Sequence, residues 1–151
     1  LGVSRMKVRD VMNINSIRIL TGSTMSDAAD LAAASNASGL FVVDNDNNFI
    51  GVLSEGDMMK KTLPDMAEIM ASPGGLEDSG YLFSEKGSNL ANDLIDDHIV
   101  RDAVTLKPDD PLIKAASTMA IKKMRRLPVV SDGKLLGTIS RGDICKVIFK
   151  R

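Results

Sequence analysis

The sequence predicts an α/β domain, mixed α+β in its local order, built from two copies of a β-α-β-β-α unit. Three observations carry that prediction. The segment GVLSEGDM (Gly51–Met58) returns as GTISRGDI (Gly137–Ile144). Upstream of each lies an apolar run, LFVVD (Leu40–Asp44) and LPVVSD (Leu127–Asp132). Further upstream sit alanine-rich stretches, Asp27–Ser35 and Leu112–Met124. Like features in the same order mark an internal repeat. The openings VRDVM (Val8–Met12) and VRDAV (Val100–Val104) read as a fourth match.

Each element has a local reason. Ile17–Leu20 and Val104–Leu106 are short runs of β-branched and apolar residues, read as the first strands. Thr24 with Asp27 makes a capping-box pair at the first helix start. Asp110-Pro111 reads as N-cap followed by the first helical residue. Leu112, Ala115, Ala116, Met119 and Met124 then recur at helical spacing. The turns between the paired strands are rich in turn formers: Asp44–Asn48 in copy one and Ser131–Lys134 in copy two. Final helices begin near Ser54 and Ser140, where Ser with an acid three residues on is itself a helix-start signal.

Neither copy is comfortable alone. Two copies packed sheet to sheet, with pseudo-two-fold symmetry, bury both apolar faces. The expected organisation is one module over 6–151, with repeat one at 6–62, a connector at 63–97, repeat two at 98–151, and a tail at 1–5. The connector has the composition of a solvated link. Within it EDSGYLFSEKGSN reads as loop, while PDMAEIM and NLANDLIDD read as short helices.

Composition narrows the function. The 151 residues carry 19 Lys+Arg against 20 Asp+Glu, a net charge of −1, so the chain is not a globally basic nucleic-acid binder. Aromatics make up 3%, too few for a base-stacking surface. One Cys (Cys145) and one His (His98) exclude an intrachain disulfide and a Cys/His zinc cluster within this chain. A nucleophilic triad would need His98, which sits among acids. Cys145 reads as buried, and the nine methionines as core filling. No apolar run is long enough to span a membrane and no signal-peptide pattern opens the chain, so the expected compartment is the cytoplasm.

The repeated Ser-x-Gly-Asp turn can do more than cap a helix. Its glycine lets a ligand approach the backbone. Its Asp can accept hydrogen bonds from a ribose diol, and a helix N-terminus favours anions. Two copies of an apolar strand followed by this turn resemble the cystathionine-β-synthase (CBS) domain pair over all but the connector and the first five residues. The resemblance implies a non-enzymatic regulatory module that binds an adenosine-containing ligand in clefts between the repeats. AMP, ADP or ATP come first, S-adenosylmethionine and NAD belong to the same set, and no cofactor is required. It also implies a homodimer and a regulated protein partner. A ligand-free dimerisation or interaction module is the alternative.

Carried over residue by residue, Asp57 and Asp143 hold ribose hydroxyls with Ser54 and Ser140. Val52 and Thr138 line the adenine pocket. Ile17, Arg18, Val104 and Thr105 meet the base edge, largely through backbone. Arg125, Arg126 and Pro128 match the family's basic-then-Pro stretch, where Arg grips phosphate. Copy one has Ser38, Gly39 and Phe41 at those places, and Glu55 where copy two has Arg141. Arg141 attracts a phosphate where Glu55 repels it. The expected sites are therefore unequal.

Overall fold

The computed structural model describes residues 2–35 and 37–150. In chain order the regular elements are α1 (Val8–Val11), β1 (Arg18–Leu20), α2 (Met25–Ser35), β2 (Gly39–Val43), β3 (Phe49–Ser54) and α3 (Glu55–Lys60). They continue with α4 (Met66–Ala71), α5 (Gly80–Leu90), α6 (Leu112–Lys122), β4 (Arg126–Ser131), β5 (Lys134–Ser140) and α7 (Arg141–Ile148). Short 3-10 turns cover Val3–Arg5 and Ile95–His98. One sheet runs β1-β2-β3 and the other β4-β5.

The chain divides into two compact units. One holds the chain up to Arg18, Val43–Ile50 and the chain from Asp102 onward, and the other holds Ile19–Val42 and Gly51–Arg101. The first unit has its core in Val8, Leu106, Leu112, Ala115, Met119, Leu127, Val129, Ile139 and Ile144. In the second, Ile19, Met25, Ala28, Ala32, Leu40, Val42, Leu53 and Ile95 are buried. The helices α2 and α6 bury the same positions, first, fourth and eighth: Met25, Ala28, Ala32 and Leu112, Ala115, Met119.

The opening arms are exchanged between the copies. In the first unit, the Val8 amide donates to the Asp110 carbonyl at 2.9 Å, and the Leu112 amide to Met6 at 2.9 Å. In the second, the Ile95 amide donates to Ser23 at 2.8 Å, and Met25 to Asp93 at 2.8 Å. Val8 and Ile95 are both fully buried. Further on, Asn13 pairs with Thr138 and Val100 with Val52, each closing the outer edge of a sheet. The counterpart of VRDVM is thus IDDHI (95–99), and the expected match to VRDAV is corrected. Sequence likeness at Arg and Asp misled there, because the equivalence lies in one buried aliphatic side chain and a run of backbone hydrogen bonds.

Gly51 and Gly137 show what the exchange requires. A Cβ at Gly137 would lie 2.5 Å from the Asn13 carbonyl oxygen, and a Cβ at Gly51 would collide with the Val100 carbonyl. Only glycine lets the arm's backbone come that close.

Four local expectations change. Val104–Leu106 is not a strand: only Leu106 bridges, parallel to Val129, because Pro128 on the facing strand lacks the amide that would carry the ladder back to the Val104 carbonyl. The N-cap of α6 is Pro111, not Asp110. The Asp110 carboxylate instead accepts from the Lys107 amide at 2.8 Å and closes the turn before the helix. EDSGYLFSEKGSN is largely helix α5, despite its two glycines, with Leu82 and Leu90 half-buried. NLANDLIDD only ends α5 and begins the 3-10 turn.

The methionines divide as well. Met25 and Met119 are buried, whereas Met59, Met66 and Met70 are exposed, and so is Cys145 on α7. Among the described residues no helix is long and apolar enough to cross a membrane.

Candidate functional site

The two Ser-x-Gly-Asp turns are built alike. Ser54 caps α3, its hydroxyl accepting from the Asp57 amide at 3.0 Å. Ser140 caps α7 in the same way, accepting from Asp143 at 3.1 Å. The first helical amide of each donates to the residue two before the apolar strand core: Glu55 to the Ser38 carbonyl and Arg141 to the Arg125 carbonyl, both at 3.0 Å. Neither Gly56 nor Gly142 is required by packing. A Cβ at Gly56 would meet nothing within 4 Å, and one at Gly142 only the Ser140 hydroxyl at 3.7 Å. Glycine in an exposed first turn costs about 1 kcal/mol relative to alanine. The space above each helix start is open.

Copy two gathers most of the expected site residues on one short ladder. Arg126 stands opposite Ser140 across β4 and β5, and Pro128 opposite Thr138. Pro128 removes no hydrogen bond between β4 and β5, because the Thr138 backbone hydrogen bonds to Asn13 on its other side, at 3.0 and 2.7 Å. Val104 and Thr105 lead into Leu106, whose amide donates to the Pro128 carbonyl at 2.9 Å. The guanidinium groups of Arg125 and Arg126 are exposed and make no hydrogen bond or ion pair among the described residues. Asp143 uses one carboxylate oxygen on the Ser140 amide, at 2.9 Å, and keeps the other.

A scan against family models matches the CBS domain twice, over residues 8–64 and 95–150. The chain belongs to the CBS-domain family. Its two matched segments make it a tandem pair. Two relatives from Methanocaldococcus jannaschii, MJ1225 and MJ1426, are each 28% identical, over 141 and 154 residues. The matches cover 93% and 95% of this chain, and 42% and 91% of those proteins; the chain thus spans less than half of MJ1225. The crystal structure of CBSX2 in complex with AMP superimposes with a TM-score of 0.70 at 23% identity, covering 94% of this chain and 95% of that one.

Not every site residue joins the CBS copy-two ladder. Val52, Ser54 and Asp57 belong to the other compact unit. The Asp57 carboxylate has no partner among the described residues, so that turn has no reciprocal cap. Ile17 is exposed. The Arg18 guanidinium is engaged at the turn end of β5, donating to Asn47 Oδ1 at 2.6 Å and to the Leu135 carbonyl at 3.1 Å. It fastens the Asp44–Asn48 turn to the second hairpin, where the Leu135 amide also donates to Asn47 and the Phe49 amide to Gly133.

Arg141 changes role. Its guanidinium donates to the carbonyls of Met124 at 2.8 Å and Met119 at 3.2 Å, closing the C-terminal end of α6. The phosphate-attracting function expected of it is therefore not supported. His98 lies in a charged cluster: its Nδ1 lies 2.7 Å from Lys61 Nζ and its Nε2 3.5 Å from Asp93. The residues the sequence reading missed are Asn13 and Val100, whose backbones close the two sheets. The glycines at 51 and 137 were the signal for them, since a glycine inside a strand marks a close backbone approach.

Proposed function

We propose that this CBS pair is a regulatory sensor of an adenosine-containing ligand, AMP before the others, and that copy two supplies the phosphate-binding end of its principal site. Arg126 opposite Ser140, beside the open space over Gly142, is the observation that carries this reading. Asp143 and Ser140 take the ribose hydroxyls. Arg125 and Arg126 take the phosphate with guanidinium groups that no other described residue engages. Val104, Thr105, Thr138 and Pro128 meet the base. The AMP complex of CBSX2 supports the ligand class through shared fold alone. Copy one offers Ser38, Gly39 and Glu55 at the corresponding places, which gives a weaker or empty second site. The ligand acts through its differential affinity for two conformations, and the output passes to a partner rather than to a bond broken here.

Calorimetric titration of the ligand-stripped protein tests this. AMP, ADP, ATP, S-adenosylmethionine and NAD are compared with adenosine and GTP. One adenine nucleotide should bind per chain, and Arg126→Ala should weaken AMP by about tenfold or more, a loss of about 1.4 kcal/mol, while leaving adenosine nearly unchanged. A folded protein that binds no adenosine compound would instead be a ligand-free interaction module.

A further inference from the structure

The two compact units carry opposite charge. The unit that holds the chain from Asp102 onward has fifteen Lys and Arg against eight Asp and Glu, and the other has four against twelve. The excess is concentrated in copy two, where residues 112–150 contain nine cations and only two acids, Asp132 and Asp143. Asp132 lies in the hairpin turn beyond the far end of β4, and Asp143 holds the Ser140 amide.

Five of those cations meet where α6 ends and α7 begins. Lys122, Lys123, Arg125 and Arg126 follow in one run. Arg141 is fastened beside them. Its amide donates to the Arg125 carbonyl at 3.0 Å, and its guanidinium to the Met124 and Met119 carbonyls at 2.8 and 3.2 Å. All five are exposed, and none forms an ion pair among the described residues. The C-terminal end of a helix carries about half a negative charge. That accounts for one cation there, not for five. Lys123 also stands against backbone preference, at φ 54°, where glycine or asparagine is the low-cost residue. The fold thus holds a cluster of like charges that it does not itself neutralise.

A partner for this cluster must bring several negative charges at once. It must also suit Ile121, which adjoins the run and is 80% exposed. A nucleic-acid backbone offers little to cover an isoleucine, and the run has no aromatic ring on which a base could stack. An acidic polypeptide segment meets both demands: carboxylates match the arginine fork, and an apolar side chain covers Ile121.

We infer that this basic end of copy two docks an acidic segment of a regulated protein, and that the segment competes with the ligand's phosphate for Arg125 and Arg126. The competition rests on the assignment of those two arginines to the phosphate. The states that the ligand distinguishes are then the partner-free and the partner-bound protein. Lys122 and Lys123 serve the partner alone.

Fluorescence anisotropy of a short labelled Glu-Glu-Leu repeat peptide, added to the ligand-stripped full chain, tests both halves. The peptide should bind, and its affinity should fall at least about tenfold between roughly 0.05 and 0.5 M salt. Lys122→Gln/Lys123→Asn suits the left-handed position and should keep the parent's circular dichroism. It should weaken the peptide about tenfold while changing AMP affinity by less than about threefold. Saturating AMP should displace the peptide, and adenosine, which lacks the phosphate, should not. A peptide that does not bind, or that binds the double variant equally well, overturns the docking site. So does tighter binding of a DNA duplex of equal charge, the result expected of a nucleic-acid surface. Peptide and AMP bound together, each at full affinity, overturn the competition. Calorimetry that detects no AMP binding would instead remove the sensor reading, and the docking site then stands or falls on the double variant.

Discussion

The Ser-x-Gly-Asp turns of the two copies have the same backbone and different side-chain commitments. Both serines cap their helices, and both helix starts are fastened to the strand that precedes them. In copy two Asp143 returns a hydrogen bond to Ser140, and two free arginines stand close in the ladder. In copy one Asp57 returns nothing, and the arginine positions hold Ser38 and Gly39. The difference teaches that duplication preserved the scaffold while the side chains around it diverged. The backbone is set by packing that both copies need. The surface above the helix start is under no such packing demand.

Glycine substitutions separate those two kinds of constraint most sharply. Gly137→Ala should destabilise the protein by about 3 kcal/mol, because its Cβ meets a backbone carbonyl that cannot swing aside. Gly51→Ala should behave alike. Gly142→Ala, only two residues beyond the strand, should leave stability unchanged or raise it by up to about 1 kcal/mol. It should nonetheless weaken AMP, since the methyl occupies the ligand's approach. Denaturant melts with and without AMP measure both effects. A Gly142→Ala protein with undiminished affinity would remove the open space from the site.

A smaller effect divides the aspartates. Asp143→Ala should cost about 1 kcal/mol through loss of its half of the capping box. Asp57→Ala should stay within about 0.5 kcal/mol, as its carboxylate holds nothing. Paired urea melts give the comparison, and equal losses would mean the two turns are not distinguished as described.

Much of this was legible in the sequence because it is local. The repeat, the capping pairs at Thr24, Ser54 and Ser140, the Asp132-Gly133 turn and the helix periodicity all depend on neighbours within a few residues. The turn shows it well: both residues take positive φ, 52° and 78°, as a two-residue hairpin loop demands. What was not legible is set by distant partners. The arm exchange rests on Val8 and Ile95, each buried against the other copy's elements. The commitment of Arg141 to the end of α6 depends on where that helix stops: Lys123 turns left-handed, and Arg141 reaches the Met119 and Met124 carbonyls on either side of it. Arginine beside a helix start reads equally well as a phosphate ligand or as a cap for a neighbouring helix. Only the fold decides between them.

The hairpin turns give the mildest test of the same contrast. Copy two turns on backbone conformation at Asp132 and Gly133, whereas copy one adds a side-chain clasp to a left-handed Asn47. Asp44 accepts from the Asn48 side chain at 3.0 Å and from the amides of Asp46 and Asn48, each at 2.9 Å. The Asn48 side chain, then its amide, holds the Asp44 carboxyl below the ordinary carboxylate range. A carboxyl whose pKa is lower folded than unfolded contributes its stability above the unfolded value and loses it as pH falls through the folded one. The wild-type protein should therefore lose stability on acidification below about pH 4, partly through this turn. Asp44→Asn should be slightly less stable at neutral pH and show a shallower acid limb. Stability measured from pH 7 to pH 3 on the two proteins checks this, and parallel curves for wild type and Asp44→Asn would place the acid sensitivity elsewhere. Glu68, held low by Lys86, and Asp109, held low by Arg9, are the next carboxylates to substitute in that case.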